Sequence, residues 1–176
     1  MRITELTVFI GLFWLVEFYN SGTGHQLNTL GIQPRSQHGL VGIALWPFLH
    51  ANVSHLIANT IPLAMMGWFI LLRGFGQFLL ISIGITLFAG LAVWLFARPA
   101  IHIGASGLVF GYFGFLVAAA WYEQSFKSFI VAIITVLLYG GLVWGVLPQA
   151  PHISWEAHLF GLIVGVLLAS RLESHK

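Results

Sequence analysis

This sequence contains no cysteine and no aspartate, and only 7% of its 176 residues are charged. The lack of cysteine excludes disulfide bonds and thiolate metal sites. The lack of aspartate excludes a Ser-His-Asp triad and the paired aspartates of an aspartyl protease. Soluble domains carry roughly 25% charged residues. A chain with so little charge that is also 59% hydrophobic is therefore predicted to be surrounded largely by lipid.

The small number of charges also argues against other classes of partner. The net charge is only +2 and the basic residues do not cluster, whereas nucleic-acid binding needs a basic patch or stripe. The His-Glu-x-x-His motif of zinc proteases is absent. The sequence therefore predicts no nucleic-acid partner, no metal and no cofactor.

Long apolar runs predict an all-α polytopic membrane protein, a bundle of six transmembrane helices with residues 1–176 as one domain. A helix needs about 20 residues to cross the hydrocarbon core. The N-terminal run lacks the small-x-small cleavage site of a signal peptide and is predicted to remain as the first span. The predicted spans are residues 4–19, 52–72, 75–97, 105–122, 127–147 and 154–171. Residues 20–51 form a long first loop, predicted to lie in the interface or dip into the membrane edge.

The distribution of Lys and Arg predicts that both termini lie in the cytoplasm, because cytoplasmic loops carry an excess of these residues. The predicted cytoplasmic residues are Arg2, Arg73, Lys127, Arg171 and Lys176, and the predicted outer residues are Arg35 and Arg98. In this orientation the second, fourth and sixth spans each begin at the extracytoplasmic side.

Polar residues converge near the outer ends of these three spans. His55 and Asn59 lie one turn apart on the second span, Ser106 opens the fourth, and His158 lies in the first turns of the sixth. Polar groups at membrane depth are expensive and usually face a protein interior or a wet cavity. Four such groups at one depth predict a functional site.

Glycines predict close contact between the fourth and sixth spans. His158, Gly161 and Gly165 share one face of the sixth span, and small residues at such spacing let helix backbones approach closely in lipid. The glycines of the fourth span are Gly104, Gly107, Gly111 and Gly114. A packing role alone explains any single pair, but close packing of these two spans also brings Ser106 toward His158.

Ser106 and His158 are predicted to form a catalytic dyad, since histidine is the usual base that activates a serine. Glu156 is two residues from His158 and points away from it on a helix. His158 would act first as base toward Ser106 and then as acid toward the leaving amine. Unpaired N–H groups at the start of the fourth span suit an oxyanion, and His55 and Asn59 are further donors. Taken alone, Ser106 also fits an N-cap and His55 a satisfied core histidine.

Three motifs carry a resemblance to a known family. They are His50 followed by His55-x-x-x-Asn59, Gly104-Ala-Ser106-Gly107 with Gly111 and Gly114, and Ala157-His158-x-x-Gly161-x-x-x-Gly165. In this order the chain resembles the rhomboid family of intramembrane serine proteases. The resemblance implies a Ser106–His158 dyad and cleavage of peptide bonds in or beside membrane-spanning helices of substrate proteins. The likeness is to minimal six-helix members of the bacterial type, which implies a bacterial inner membrane.

The resemblance also implies roles for neighbouring residues. The oxyanion hole would comprise His55, Asn59 and backbone N–H groups around Ser106, including that of Gly104. Supporting residues would be His50, Phe110 and Gly161. Residues 20–51 would be the large first loop and residues 148–153 a cap over the site. Substrate access would require the fifth span or this cap to move.

Two positions depart from the family pattern. Many members have a tyrosine four residues after the serine, stacked on the catalytic histidine, whereas this chain has Phe110, which stacks but cannot hydrogen-bond. The sequence leaves open what else orients His158. Many members also carry adjacent Trp and Arg in the first loop, whereas Arg35 and Trp46 are separated here.

Two alternatives remain at this stage. A catalytically silent rhomboid-like protein would bind membrane helices without cutting them, although such relatives typically lack the serine or the histidine that this chain retains. A small transporter or haem protein would use His55 and His158, but the sequence shows no inverted repeat.

Overall fold

The computed structural model describes residues 2–148, 150 and 153–172. The α-helices in these residues are α1 (Arg2–Gly22), α2 (Gly39–Leu45), α3 (Val53–Leu71), α4 (Phe75–Phe96), α5 (Ser106–Glu123), α6 (Phe126–Tyr139) and α7 (Trp155–Leu172). Short 3₁₀ turns cover Gln26–Leu30, Trp46–Phe48 and Gly140–Val146. Across these ranges the extended pairing is a single isolated bridge between Ile32 and His102. The predicted all-α membrane class is confirmed.

Five segments of the described chain are long and apolar enough to cross a bilayer: α1, α3, α4, α7, and α6 continued through its 3₁₀ turn to Val146. The remaining predicted span corresponds to α5, which has 18 residues. Eleven of these α5 residues are buried. A helix enclosed by other helices needs little lipid-facing apolar surface, so close packing favours the small residues found in α5.

The fifth predicted span differs from the expected single helix. The α-helix ends at Tyr139 and the chain continues as a 3₁₀ turn through Gly140–Val146. Two consecutive glycines, Gly140 and Gly141, begin this turn, and glycine is about 1 kcal/mol less favourable than alanine inside an α-helix. The local sequence therefore accounts for the change of helix type.

The first loop packs back onto α4. Trp46 is completely buried, and its indole N–H donates to the backbone oxygen of Thr86 at 3.1 Å. The Arg35 guanidinium donates to the backbone oxygens of Leu95 and Ala97 at 3.1 and 2.8 Å. Although separated in sequence, Trp46 and Arg35 thus both fasten the loop to this helix and its C-terminal end.

Glycines bring the backbones of α5 and α7 into direct contact, as the sequence predicts. A Cβ atom added at Gly161 would lie 2.1 Å from the carbonyl oxygen of Gly107, and one added at Gly165 would lie 2.0 Å from that of Gly111. Both distances are far shorter than a van der Waals contact between non-bonded carbon and oxygen atoms. Only glycine fits at these positions, which fixes how α7 lies along α5.

The outer surface of the bundle is apolar. Phe18, Phe126 and Leu137 are each about 80% exposed within the chain. Contiguous apolar surface of this kind is rare on soluble monomers. In a bilayer, lipid chains contact this surface and keep it out of water. The protein is an integral membrane protein.

Candidate active site

A cavity of about 930 Å³ lies where α3, α5, α7 and the turn Gly140–Val146 meet. The four polar residues singled out from the sequence, His55, Asn59, Ser106 and His158, all line it. Ser106 and His158 are half-buried, so both are covered by protein yet accessible from the cavity. The fold therefore brings together polar groups from three separate helices.

Ser106 and His158 are hydrogen-bonded to each other. The distance between Ser106 Oγ and His158 Nε2 is 2.8 Å. Ser106 is the first residue of α5 and His158 lies in the first turn of α7. The glycine contact between these helices aligns their first turns, which places the hydroxyl beside the imidazole.

The backbone of Gly145 determines which nitrogen of His158 carries the proton. His158 Nδ1 lies 2.9 Å from the carbonyl oxygen of Gly145. A carbonyl can only accept, so Nδ1 is the protonated donor and Nε2 of the neutral ring carries the lone pair. The Ser106 hydroxyl therefore donates to Nε2, which is the arrangement that a general base needs.

Phe110 fixes the plane of the same imidazole. The Phe110 and His158 rings stack with centroids 4.2 Å apart and an interplanar angle of 3°. A Cβ atom at Gly145 would lie 2.6 Å from Phe110 Cζ, so the carbonyl can approach His158 only because this residue is glycine. The orientation that the sequence left open thus comes from one stacked ring and one carbonyl. The only sequence signal for Gly145 was an isolated glycine in an apolar run.

Gly104 has a steric role rather than the predicted role of oxyanion donor. Its N–H donates to the carbonyl oxygen of Trp46 at 2.9 Å and is therefore already engaged. Its φ of +117° favours glycine, and a Cβ atom there would lie 2.8 Å from Cε1 of His55. Gly104 thus allows the chain to turn into α5 while the His55 ring lies against it.

His50, expected to be a supporting residue, lies behind the cavity and is not among the residues that line it. The residue is completely buried, and its Nε2 accepts the N–H of Ala105 at 3.2 Å. Burial lowers the pKa of His50 to about 4. The side chain is therefore neutral near pH 7 and acts as a fixed acceptor beneath the start of α5.

His55 and Asn59 hold their places through the local structure of α3. Asn52 caps the helix by accepting the His55 N–H at 2.9 Å. The Asn59 side-chain amide donates to the carbonyl oxygen of His55 at 3.0 Å. Because this amide group has two N–H bonds, one remains available to the cavity.

The predicted cap falls partly outside the described residues, which omit Gln149, Pro151 and His152. Ile153, at the end of this segment, lines the cavity. In the described part of the chain, no group of three or more His or Glu side chains is arranged to bind a metal ion.

Comparison with known proteins supports the family resemblance that the sequence motifs indicate. A family model described as the Rhomboid domain matches residues 37–174. The uncharacterized protein Rv1337 of Mycobacterium tuberculosis is 35% identical, over 97% of this chain and 75% of its own length. The uncharacterized protein ML1171 of Mycobacterium leprae is 37% identical, over 98% of this chain and 71% of its own length. YdcA of Bacillus subtilis, whose provisional name is that of a rhomboid protease, is 29% identical over 69% of this chain and 61% of its own length.

Proposed function

Because this chain belongs to the rhomboid family, we propose that it is an intramembrane serine endopeptidase that cuts peptide bonds in or beside membrane-spanning helices. The observation that carries the proposal is the 2.8 Å contact between Ser106 Oγ and His158 Nε2. The Gly145 carbonyl supports it by leaving Nε2 free to accept the hydroxyl proton.

The proposed reaction uses the dyad in two half-reactions. Ser106 Oγ attacks the substrate carbonyl carbon while its proton passes to His158 Nε2, and the Nδ1–H bond to Gly145 stabilises the resulting imidazolium. His158 then gives this proton to the leaving amine as the C–N bond breaks. A water molecule, activated by the same nitrogen, attacks the ester carbonyl and releases Ser106.

The negative charge that develops on the substrate oxygen needs donors within the cavity. His55, the second N–H of the Asn59 amide and the first N–H groups of α5 are proposed for this role. The positive end of the α5 helix dipole adds to the stabilisation. Donors of this kind act most strongly in a site shielded from bulk water.

The substrate is proposed to be a membrane-spanning helix of another protein. A helix shields its own carbonyl groups by hydrogen bonding, so it must unwind locally before Ser106 can attack. Small or helix-breaking residues lower the cost of unwinding and should favour cleavage. Equal cleavage of leucine-rich helices without such residues would contradict this substrate class.

The proposed membrane is a bacterial inner membrane, with both termini cytoplasmic and the active site facing the opposite side. The support is the distribution of basic residues, which places Arg73 and Lys127 at the cytoplasmic ends of spans and Arg98 at the outer end. The helix starts that bear Ser106 and His158 then open toward the extracytoplasmic water that hydrolysis consumes.

Labelling with a serine-directed fluorophosphonate tests the proposal. The wild-type chain in detergent should label, whereas Ser106→Ala and His158→Ala should not, and their cleavage of a membrane-helix substrate should fall by roughly 10⁴-fold or more. The exposed Ser54 provides a matched control, because Ser54→Ala should label like wild type. A folded wild type that neither labels nor cleaves would favour the silent helix-binding alternative.

The haem or transporter alternative fits the geometry less well. Both ring nitrogens of His158 are engaged, one by Ser106 and the other by Gly145. Binding a haem iron would break one of these hydrogen bonds. A Soret absorption band in the purified protein would nevertheless contradict the protease proposal.

A further inference from the structure

A second serine–histidine pair lies in the wall of the same cavity. Ser154 Oγ is 2.5 Å from His102 Nδ1, and both residues line the cavity. His102 precedes Ser106 by four residues, and Ser154 precedes His158 by four residues. The two pairs therefore join the same two segments, residues 102–106 and 154–158. In the dyad the first segment supplies the serine, whereas in the second pair it supplies the histidine.

Hydrogen-bond geometry defines the direction of this second contact. His102 Nε2 lies 3.1 Å from the carbonyl oxygen of Arg98, so Nε2 carries the proton and Nδ1 accepts from the Ser154 hydroxyl. Burial lowers the pKa of His102, which keeps the ring neutral near pH 7. In this state the Ser154 hydroxyl is the donor of the pair and Nδ1 of His102 is the acceptor.

An ion pair supports the same junction. Arg98 Nε lies 3.3 Å from Glu156 Oε1, and the Arg98 guanidinium also donates to the carbonyl oxygen of Ile153. The backbone of His102 is fixed independently, through hydrogen bonds of 2.9 and 3.0 Å with Ile32. The first turn of α7 is therefore fastened to a loop that is itself anchored to the rest of the protein.

These contacts give the start of α7 a second attachment. On the side of α5, a Cβ atom at Gly107 would lie 2.9 Å from the carbonyl oxygen of Ala157, so the glycine contact reaches the first turn of α7. That contact packs one face of the helix but gives no partner to its first N–H groups, which lack intrahelical partners and for this reason let helix ends fray. The Ser154–His102 and Arg98–Glu156 contacts hold the same turn from the side of the loop that precedes α5.

We propose that Ser154 and His102 are positioning residues for the dyad. Their hydrogen bond, together with the Arg98–Glu156 ion pair, holds the first turn of α7 so that His158 Nε2 stays within reach of Ser106. The inference rests on the proposed function, because the reaction being positioned is that of Ser106 and His158.

The hold does not depend on the charge of His102. A protonated His102 has an N–H on both nitrogens, and the Nδ1–H can donate to Ser154 Oγ, because a hydroxyl accepts as well as donates. The charged groups that face the ring are Arg98, which disfavours protonation, and Glu156 on α7, which favours it. The contact is therefore expected to persist in either state of His102.

Four variants of this chain test the proposal, assayed in detergent with a membrane-helix peptide substrate. Ser154→Ala should lower kcat about tenfold, the rate equivalent of one hydrogen bond, with KM unchanged. Ser154→Thr keeps a hydroxyl and should keep most of the activity. His102→Asn places an amide oxygen near the position of Nδ1 and should retain kcat, whereas His102→Leu, of similar size, cannot accept the hydrogen bond and should lower kcat about tenfold.

The outcomes separate this proposal from the proposed function. An inactive wild type that also fails to label overturns both. An active wild type with unchanged kcat in Ser154→Ala, or with equal losses in Ser154→Ala and Ser154→Thr, overturns only the positioning role. A fluorophosphonate adduct on Ser154 in Ser106→Ala would also overturn it, because Ser154 would then be a nucleophile. If Ser154→Ala does not fold, the pair at His102 decides, because equal kcat in His102→Asn and His102→Leu overturns the positioning role.

Discussion

The two walls of the cavity are built in opposite ways. In the packed wall, formed by α5 and α7, a Cβ atom at Gly161 would lie 2.1 Å from a carbonyl oxygen of the facing helix. The open wall is formed by the turn Gly140–Val146, which continues α6. Only 11% of this spanning segment, Phe126–Val146, is buried, compared with 33% for α7. A Cβ atom at Gly141 would meet nothing within 4 Å. Gly161 and Gly165 in the packed wall thus lie against backbone, whereas in the open wall Gly141 meets nothing and Gly145 meets the side chains of Phe110 and His158.

The dyad depends on both walls. Ser106 and His158 belong to the packed wall, whereas the carbonyl that sets the tautomer of His158 belongs to Gly145 in the open wall. A loosely packed segment thus completes a site that a rigid one carries. If substrates enter by displacing the open wall, we expect the orientation of the base to be lost during access and restored on closure.

The largest effect is expected from adding one methyl group to the packed wall. Gly161→Ala should lower the free energy of unfolding by about 3 kcal/mol or more and abolish labelling, because the methyl meets backbone that cannot move aside. The matched change Gly141→Ala in the open wall should stay within about 0.5 kcal/mol. Thermal or denaturant unfolding in detergent measures both. Equal effects of the two variants would remove the distinction between the walls.

A smaller effect on the free energy of unfolding is expected from lowering the pH, because His50 is buried beneath the start of α5. The pKa of His50 is about 4 in the folded protein, against an ordinary value of 6.5. Between these values the unfolded chain binds a proton that the folded chain does not. The contribution of His50 to the free energy of unfolding is therefore fully present above about pH 6.5. It falls by up to about 3 kcal/mol as the pH is lowered toward 4. The open wall and α6, residues 126–146, contain no histidine.

Unfolding of wild type and His50→Gln, measured between about pH 4 and pH 7, isolates this contribution. The glutamine oxygen can still accept the Ala105 N–H, but the side chain does not titrate, so the variant should show the weaker pH dependence. Identical pH dependence in the two proteins would mean that His50 is not held neutral by burial.

The smallest effect is expected where the open wall contacts the dyad. In Gly145→Ala the new Cβ would lie 2.6 Å from Phe110 Cζ and 3.4 Å from His158 Nδ1. The methyl should push the ring stack and the carbonyl apart and lower kcat about tenfold, with little change in stability. Gly141→Ala, in the same turn, is the control for kcat. A Gly145→Ala enzyme with wild-type kcat would show that the carbonyl does not set the orientation of His158.

Much of the architecture could be predicted because it depends on local patterns. The third predicted span is an example. It is predicted at residues 75–97 and observed as α4, Phe75–Phe96, because a continuous apolar stretch between Gly74 and Pro99 has few alternatives to a helix in lipid. The convergence of Ser106 and His158 was also predictable, because the glycines that let α5 and α7 touch can be recognised by their spacing.

The roles of His50 and Gly104 were harder to predict. Gly104 was expected to act as an oxyanion donor and His50 as a supporting residue, yet the Gly104 N–H donates to the Trp46 carbonyl and His50 accepts a backbone N–H behind the cavity. Sequence motifs identify which residues lie near a site. They do not reveal which of the nearby donors is already paired, because the partners come from the distant first loop.

By itself, the sequence determined that this chain lies in lipid, where its helices run, and which serine and histidine meet, because hydropathy and residue spacing act locally along the chain. Only the tertiary structure decided what orients His158 and what fastens the start of α7. The physical reason is that Gly145 acts through a carbonyl group, which every residue possesses, and the Ser154–His102 contact joins residues far apart in sequence. Such contacts exist only once the helices have packed.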